Sequence, residues 1–369
     1  MLRSFVKYIM VAVTAVIVLC YLLGLSAQWV SPEKMGVPTY FVMIMPLWIV
    51  LMLGVVVFWA CFKKWGHALV VVGIMALTFG QWRNVVTINR PFGRQQSTVN
   101  DQQSTVKILT FNTHIFNNHK EDSFEKVAEF IKKCDADIVC LQEFGHYHRY
   151  GTSKKEILKF FDSIYPYRHI WFKNQNKWGE NGLATFSRYP IVKKKKIEYN
   201  SADNISIYSD IVIDGDTIRL INNHLESNRL NKEDRKFAEK LIDEKNNKQE
   251  ILNAGMKIGS RLVTGAKNRV QQATAVRQTI EETNHPTIAL GDFNDVPLSF
   301  TYNTIKKDMQ DAYAKAGNWG YHWTYNKSVM LVPIDHILTS KEFDIIDCTV
   351  HREMKESDHY PVSCVMQIK

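Results

Sequence analysis

The sequence has no CxxC pair, and its 369 residues include only six cysteines. That removes the spacing of a thiolate zinc site and the dense framework of a disulfide-stapled module. Cys20 and Cys61 fall in apolar runs, and Cys134, Cys140, Cys348 and Cys364 in predicted helix or strand runs. Buried free thiols are the expectation, with one disulfide open in an oxidising compartment. There is no internal repeat and no low-complexity tract, which sets aside repeat architectures. A charge excess of one sign is also nearly absent outside the N-terminal region. The whole chain carries +9, but residues 1–90 hold seven Lys/Arg and one Asp/Glu; the 39 basic and 36 acidic residues that remain leave +3. That part is too balanced for net charge to argue nucleic-acid binding.

What the first 82 residues lack is charge. Tyr8 to Leu25 carries none, nor do Val37 to Phe62 and Ala68 to Trp82. A membrane-crossing helix needs roughly 20 apolar residues; the first two runs meet that and the third is slightly short. Arg3 and Lys7 ahead of the first run also fit a cleaved signal peptide, but two further apolar runs follow at once, as in a multi-pass anchor. The prediction is three transmembrane helices, about 8–28, 38–62 and 66–83, forming an anchor over residues 1–83. Arg3, Lys7, Lys63 and Lys64 predict a cytoplasmic N-terminus and a cytoplasmic loop between the second and third helices. Everything after Trp82 then lies outside, which in a bacterium is the periplasmic face of the inner membrane. If the third run does not cross, that side reverses.

Residues 84–104 are polar, with Pro91, Gly93 and several Gln, and read as a linker. A catalytic domain is expected over 105–369. Strand-like runs occur at Val106–Phe111, Ala136–Leu141, Gly182–Ser187, Ile191–Ile197, Ile205–Ile213, Thr217–Asn223, Thr287–Leu290, Pro333–Leu338, Phe343–Val350 and Val362–Ile368. Asp214-Gly215 is a hairpin turn. Helical spacing appears at Phe124–Ile131 and Ile157–Ile164, and a long charged helical stretch runs from about Lys232 to Glu282. Hairpins mixed with crossover helices predict α/β layers with a mixed sheet.

Polar residues cluster at the ends of these runs, where α/β folds place reactive groups. They are Asn112 in ILTFN, Glu143 in IVCLQE, His224 in IRLINNHL, Asp292 and Asn294 in TIALGDFND, Asp335 in PIDHILTS, and Asp358 and His359 in SDHYPV. Each alone reads as a turn residue or a hydrogen-bonded core group; the ordered set is specific. TFNTHIF, VCLQEF, GLATFSRYPI, INNHLES, ALGDFNDVP, PIDHILTS and SDHYPV resemble the endonuclease/exonuclease/phosphatase superfamily across nearly all of residues 107–366. The resemblance implies an α/β sandwich of two packed mixed sheets flanked by helices, and a phosphoric ester hydrolase using in-line water attack.

The resemblance also implies roles. Glu143 is the principal carboxylate ligand of a divalent metal, with Asn112 beside it and Asp358 near; oxygen ligands suit Mg²⁺ or Mn²⁺. Asp292 orients or deprotonates the water, and Asn294 holds a phosphate oxygen or the water. His359 donates to the phosphate, with Asp335 setting its tautomer. His224 is a candidate general acid for the leaving oxygen. Asn222 or Asn223 helps bind phosphate. His114, His119, His146 and His148 read as surface residues, and Lys193 to Lys196 as a solvated strand end. Trp319, Tyr321, Trp323 and Tyr325 alternate as in a strand or rim loop. The segment Glu226 to His285 is expected to shape the substrate groove or lean toward the membrane.

The substrate stays open between nucleic acid and a phospholipid head group. The anchor favours lipid; Tyr360 in SDHYPV resembles the deoxyribonuclease I form; the +3 balance argues against tight non-specific DNA binding. The contrasting reading is a catalytically inactive membrane scaffold of the same fold, against which the intact Glu143, Asp292, Asn294, Asp335 and His359 speak. The membrane is an expected partner, and nothing implies a protein partner.

Overall fold

The computed structural model describes residues 2–89, 105–117, 120, 122–148, 151–229, 248–327 and 331–369. Five helices come first: α1 (Leu2–Ser26), α2 (Val37–Met43), α3 (Met45–Cys61), α4 (Trp65–Leu77) and α5 (Phe79–Trp82). Then follow β1 (Val86–Thr87), β2 (Thr105–Asn112), α6 (Ser123–Cys134), β3 (Ile138–Tyr147), α7 (Lys154–Asp162), β4 (Tyr167–Asn176), β5 (Gly179–Ser187), β6 (Ile191–Ile197), β7 (Ile205–Ile213) and β8 (Asp216–His224). The chain continues through α8 (Lys248–Glu281), β9 (Thr287–Asp292), α9 (Phe300–Lys306), β10 (Gln310–Asp311), α10 (Ala312–Ala316), β11 (Gly320–Tyr321), β12 (Asp335–Thr339), β13 (Phe343–Val350) and β14 (Val362–Ile368).

Two six-stranded mixed sheets form, in the orders β13-β14-β2-β3-β5-β4 and β10-β12-β9-β8-β7-β6. Each is antiparallel except at one parallel pair, β2 with β3 and β8 with β9. Ile108, Ile138 and Cys140 of the first sheet meet Leu220, Ile288 and Leu290 of the second in one buried cluster. Phe124, Val127, Ala128 and Ile131 lie on one stripe of α6, so that helix covers the outer face of the first sheet. Ala273, Val276 and Ile280 of α8 cover the second. The result is a helix–sheet–sheet–helix sandwich, as the motif resemblance implies. Asp214 and Gly215, both at positive φ, turn β7 into β8. The four cysteines of the sandwich are buried free thiols. The lysine run lies on β6, at a sheet edge, where exposed lysines discourage pairing with another chain. β4, absent from the sequence reading, pairs along β5 at the edge of the first sheet and faces β6 across the sandwich.

The N-terminal helices depart from three uniform spans. Phe5–Ser26 within α1 is long and apolar enough to cross a membrane, and only 17% of its apolar window is buried. The second predicted span is two helices, α2 and α3, bent by 72°. Pro46 sits in the first turn of α3, where it lacks the N–H, and its ring clashes with the carbonyl four residues back, needed to continue from α2. The third ends after 13 residues, about 20 Å at 1.5 Å per residue against the roughly 30 Å of a hydrocarbon core. At that end the Thr78 hydroxyl is held by the Ile74 carbonyl (2.8 Å) and the Tyr21 hydroxyl (2.6 Å). A hydropathy window averages over both features.

These helices lie directly on the sandwich. Met43, Met45, Leu25 and Val85 share a buried cluster with Leu262, Val296, Leu298, Val332 and Ile334. Asn303 donates to the Gln28 carbonyl at 3.1 Å. At Gly36 a Cβ would stand 2.6 Å from the Val263 side chain, so only glycine allows α8 this close. The stretch read as a linker begins with a docked strand: β1 pairs antiparallel with β11, and the Asn89 side chain donates to the Gly317 carbonyl. Residues 90–104 lie outside the described residues.

Candidate active site

The parallel strands decide where the reactive side chains meet. β2 ends at Asn112 opposite Gln142 of β3, and β8 and β9 end together at His224 and Asp292, all on one edge of the sandwich. His224 is the register partner of Asp292, which is also the partner of Asp335 on β12. Before Asp292, Gly291 has φ +119°, and a Cβ there would lie 2.2 Å from the Asn223 carbonyl oxygen. β3 bulges between Leu141 and Phe144, with Glu143 at φ +48°. Bulges of this kind re-aim a side chain, and this one turns Glu143 toward the β8 and β9 ends.

Buried Asn112 bridges the two sheets. Its Nδ2 donates to Asp292 Oδ2 at 3.0 Å and to Glu143 Oε1 at 3.3 Å. Its Oδ1 accepts from the His114 N–H at 3.1 Å, and its carbonyl accepts from Ser357 Oγ at 2.7 Å. His224 Nε2 lies 3.8 Å from both Glu143 Oε1 and Asp292 Oδ2. His359 Nε2 is 3.7 Å from Asp292 Oδ2, and its Nδ1 is 2.8 Å from Asp335 Oδ2. Asp335 is itself fixed by its N–H, which donates to Thr324 Oγ1 at 3.1 Å.

Charges follow from these distances. Burial alone would lower His359, but the carboxylates of Asp335 and Asp292 outweigh it and hold the imidazole up to about 10. Burial would raise Glu143, yet the hydrogen bond to His114 and the imidazoles of His224, His114 and His359 bring it down to about 2. Asp292 is pushed up by burial and by Asp335, against His359, His224 and the Asn112 amide. The hydrogen bond to Glu143 raises His114.

Two groups of possible ligand atoms result. Ligand atoms of Asp292, Asp335 and His359 lie within 4.8 Å of one another, but the 2.8 Å contact between His359 and Asp335 is a hydrogen bond, with the proton between them, rather than two ligands sharing an ion. Glu143 and Asp358 converge differently. His114 Nδ1 stands 3.3 Å from Glu143 and 3.7 Å from Asp358, so an imidazole nitrogen lies between the two carboxylates. With the Asn112 amide oxygen, this hard donor set fits a divalent cation.

A cavity of about 220 Å³ opens over these groups. Its floor includes Glu143, His224, Asp292, Asn294, Asp358 and His359, and its wall includes Met43, Leu262, Tyr325, Val332 and Ile334. A family model described as Endonuclease/Exonuclease/phosphatase family matches residues 109–359. The chain belongs to the endonuclease/exonuclease/phosphatase family. A second model, Domain of unknown function (DUF8431), matches residues 7–85, the helical region. No curated protein matches the chain. Among solved structures, an endonuclease/exonuclease/phosphatase from Beutenbergia cavernae aligns with TM-score 0.50 and 15% identity over 72% of each chain. The human Nocturnin catalytic domain aligns with TM-score 0.50 and 15% identity over 76% of this chain and all of that one. The mannosyl-6-phosphatase of Bacteroides thetaiotaomicron aligns with TM-score 0.49 and 18% identity over 71% and 99%. At these identities the likeness is one of fold.

Within this family fold, eight of the nine predicted site residues converge: Asn112, Glu143, His224, Asp292, Asn294, Asp335, Asp358 and His359. Asn223 does not. It is fully buried, its Oδ1 accepting from Ser206 Oγ (2.8 Å) and its Nδ2 donating to the Leu290 carbonyl (2.9 Å), so its amide is used up inside the sheet. Asn222 is likewise spent, on Gln142 and the Ala184 carbonyl. His114, read as a surface residue, is part of the site. Its place two residues after Asn112 was the available signal, since Asn side chains bond the backbone two residues on. Lys327, 3.4 Å from Asp358, and Tyr325, edge-on to His359 at 5.2 Å, were not predicted as site groups. The alternation at 319–325 is real, but His322 and Thr324 take the buried side and Tyr321, Trp323 and Tyr325 stay half-exposed. His146 is buried against exposed His148, and His119 lies outside the described residues.

Proposed function

We propose that this chain is a membrane-anchored, metal-dependent phosphoesterase that hydrolyses a phosphate ester by in-line attack of water. The single observation that carries it is the convergence of Asp292 with two imidazoles, His224 at 3.8 Å and His359 at 3.7 Å, beside the Glu143 carboxylate. Glu143, with Asn112 and Asp358, holds Mg²⁺ or Mn²⁺, which when bound neutralises charge on the phosphate. Asp292, fixed by Asn112 and by the Asn294 N–H at 2.8 Å, orients the water and takes its proton. His359 donates from Nε2 to a phosphate oxygen, because Asp335 engages Nδ1 and holds the ring charged. His224 faces the same space and protonates the leaving oxygen. Water oxygen bonds to phosphorus as the ester P–O bond breaks, and the proton balance closes between Asp292 and His224.

Anchoring rests on α1 and the bent α2–α3 pair. Gln28, Met43 and Asn89 lie where the helices meet the sandwich, whereas Lys63 and Lys64 follow the far end of α3. That supports a catalytic domain on the side opposite the basic loop, the outer side under the positive-inside rule. The test is hydrolysis of bis(4-nitrophenyl) phosphate and 4-nitrophenyl phosphate by the full chain with Mg²⁺ or with EDTA. Activity should vanish with EDTA and fall at least a hundredfold in Asp292→Ala and His359→Ala; full activity in either variant overturns the mechanism. A phosphatase reporter fused after Gln95 should be active only if that residue is outside.

A further inference from the structure

The catalytic cavity is not made by the sandwich alone. Met43, the last residue of α2, lines it together with Leu262, Val332 and Ile334. These four are 6–8% exposed and belong to the same buried cluster as Met45, Met52 and Val55 of α3. The apolar wall beside the phosphate site is thus continuous with the interior of the N-terminal helices. Around Met43 the helices turn apolar side chains outward: Val37, Tyr40, Ile44 and Leu47 are 37–50% exposed. Met43 thus stands in the cavity wall on a helix whose other apolar side chains face outward.

Among the described residues, cations that would track a polynucleotide are scarce there. Among the described residues the cavity is lined by one arginine, Arg229, which is engaged by Glu226 at 2.7 Å and Asp203 at 3.2 Å. Lys327, beside it, is engaged by Asp358. Nucleic-acid affinity depends on free basic contacts to successive phosphates.

We propose that the N-terminal helical region is a working part of the active site, and that the substrate is a membrane lipid phosphate ester whose hydrocarbon portion lies along Met43, Leu262, Val332 and Ile334. This rests on the phosphoesterase reading above. Burial against such a wall makes each methylene withdrawn from water worth about fourfold in affinity.

The test uses the full chain in detergent with Mg²⁺ and two monomeric series, methyl to octyl 4-nitrophenyl phosphates and methyl to octyl phosphate monoesters, with a duplex and a single-stranded DNA oligonucleotide in parallel. Expected is a rise in kcat/KM of at least tenfold from methyl to octyl in one series, with phosphatidylethanolamine–phosphatidylglycerol vesicles of defined composition also releasing a phosphorylated product. Met43→Glu should flatten the rise. Leu262→Gln, on a different helix, should do the same if the first variant does not fold. Metal-dependent hydrolysis with no dependence on chain length overturns the lipid proposal and leaves the phosphoesterase reading standing, as does faster cleavage of either oligonucleotide. No hydrolysis of any substrate overturns both.

Discussion

Replacing Arg269 by methionine should cost about 3–5 kcal/mol of folding stability, because it strands a carboxylate in the interior. Arg269 on α8 is 1% exposed and Asp295, just after the Asp292–Asn294 turn, is 2% exposed. The guanidinium donates from Nε to Asp295 Oδ2 at 3.1 Å, and from Nη1 to the Glu226 carbonyl at 2.7 Å and Asn228 Oδ1 at 3.0 Å. One side chain thus ties α8 to the chain after β8 and to the catalytic turn. Methionine fills similar volume but donates nothing, so three acceptors lose their partner and one is charged. With roughly 2–4 °C per kcal/mol for a domain of this size, the midpoint should fall by about 6–20 °C. Adding Asp295→Asn removes the stranded charge, so the double variant should lose less than the sum of the singles, with a coupling of about 1–3 kcal/mol. Arg269→Lys keeps charge but not the planar fork, and should fall between. The assay is urea unfolding of the full chain in detergent, followed by circular dichroism. A loss below about 1 kcal/mol in Arg269→Met, or strictly additive costs, refutes the reasoning.

Asp335→Asn should leave the fold intact and lower kcat by about 10²–10⁴, with KM little changed, since the amide no longer sets the ring and charge of His359; steady-state kinetics on bis(4-nitrophenyl) phosphate measures it, and an unchanged kcat would remove Asp335 from the mechanism. Gly291→Ala should cost about 3 kcal/mol or more and displace Asp292, since φ +119° and a 2.2 Å approach to the Asn223 carbonyl leave no room for a Cβ; a melting curve reads it, and a native-like midpoint contradicts the geometry. Burial, with Lys194 adding, lowers His169 to about 4, and its Nδ1 lies 3.0 Å from Ser209 Oγ. Between pH 6.5 and 4 the unfolded chain takes up a proton that the folded chain refuses, so stability is full above pH 6.5 and falls by up to about 3 kcal/mol toward pH 4. His169→Asn should remove that part of the acid sensitivity in unfolding measured at pH 7 and pH 4.5, and an unaltered slope would show that the ring is not the group responsible.

Much of the sandwich was legible because its signals are local. Ile205–Ile213 and Phe343–Val350 begin and end where apolar alternation and turn residues put them, and Asp214-Gly215 is a turn on backbone grounds alone. β4 was missed because Tyr167–Asn176 mixes polar and aromatic residues without a clean period. The ends of apolar runs singled out Asn112, His224 and Asp292, which the parallel pairs bring to one edge, and also Glu143, which a bulge in β3 re-aims, and His359, which lies just ahead of β14 beside the end of β2. The same logic failed for Asn223. Side chains alternate between faces, and neighbouring positions at a strand end differ in whether they meet the cleft or the sheet interior.

The sequence by itself determined the family, the two-sheet sandwich, the ordered carboxylates and imidazoles, and the apolar character of the first 82 residues. The last two depend on composition and spacing along the chain, and the first two on the resemblance that the ordered motifs carry. Only tertiary structure decided that the Thr78 hydroxyl at the end of α4 meets the Tyr21 hydroxyl of α1. It alone turned Arg269, in a stretch that reads as charged and helical, inward onto Asp295, and carried Met43 to the wall of the cavity over the candidate site. Each of these is a contact between residues far apart in the chain, and its energy depends on what the partner segment buries or leaves unpaired.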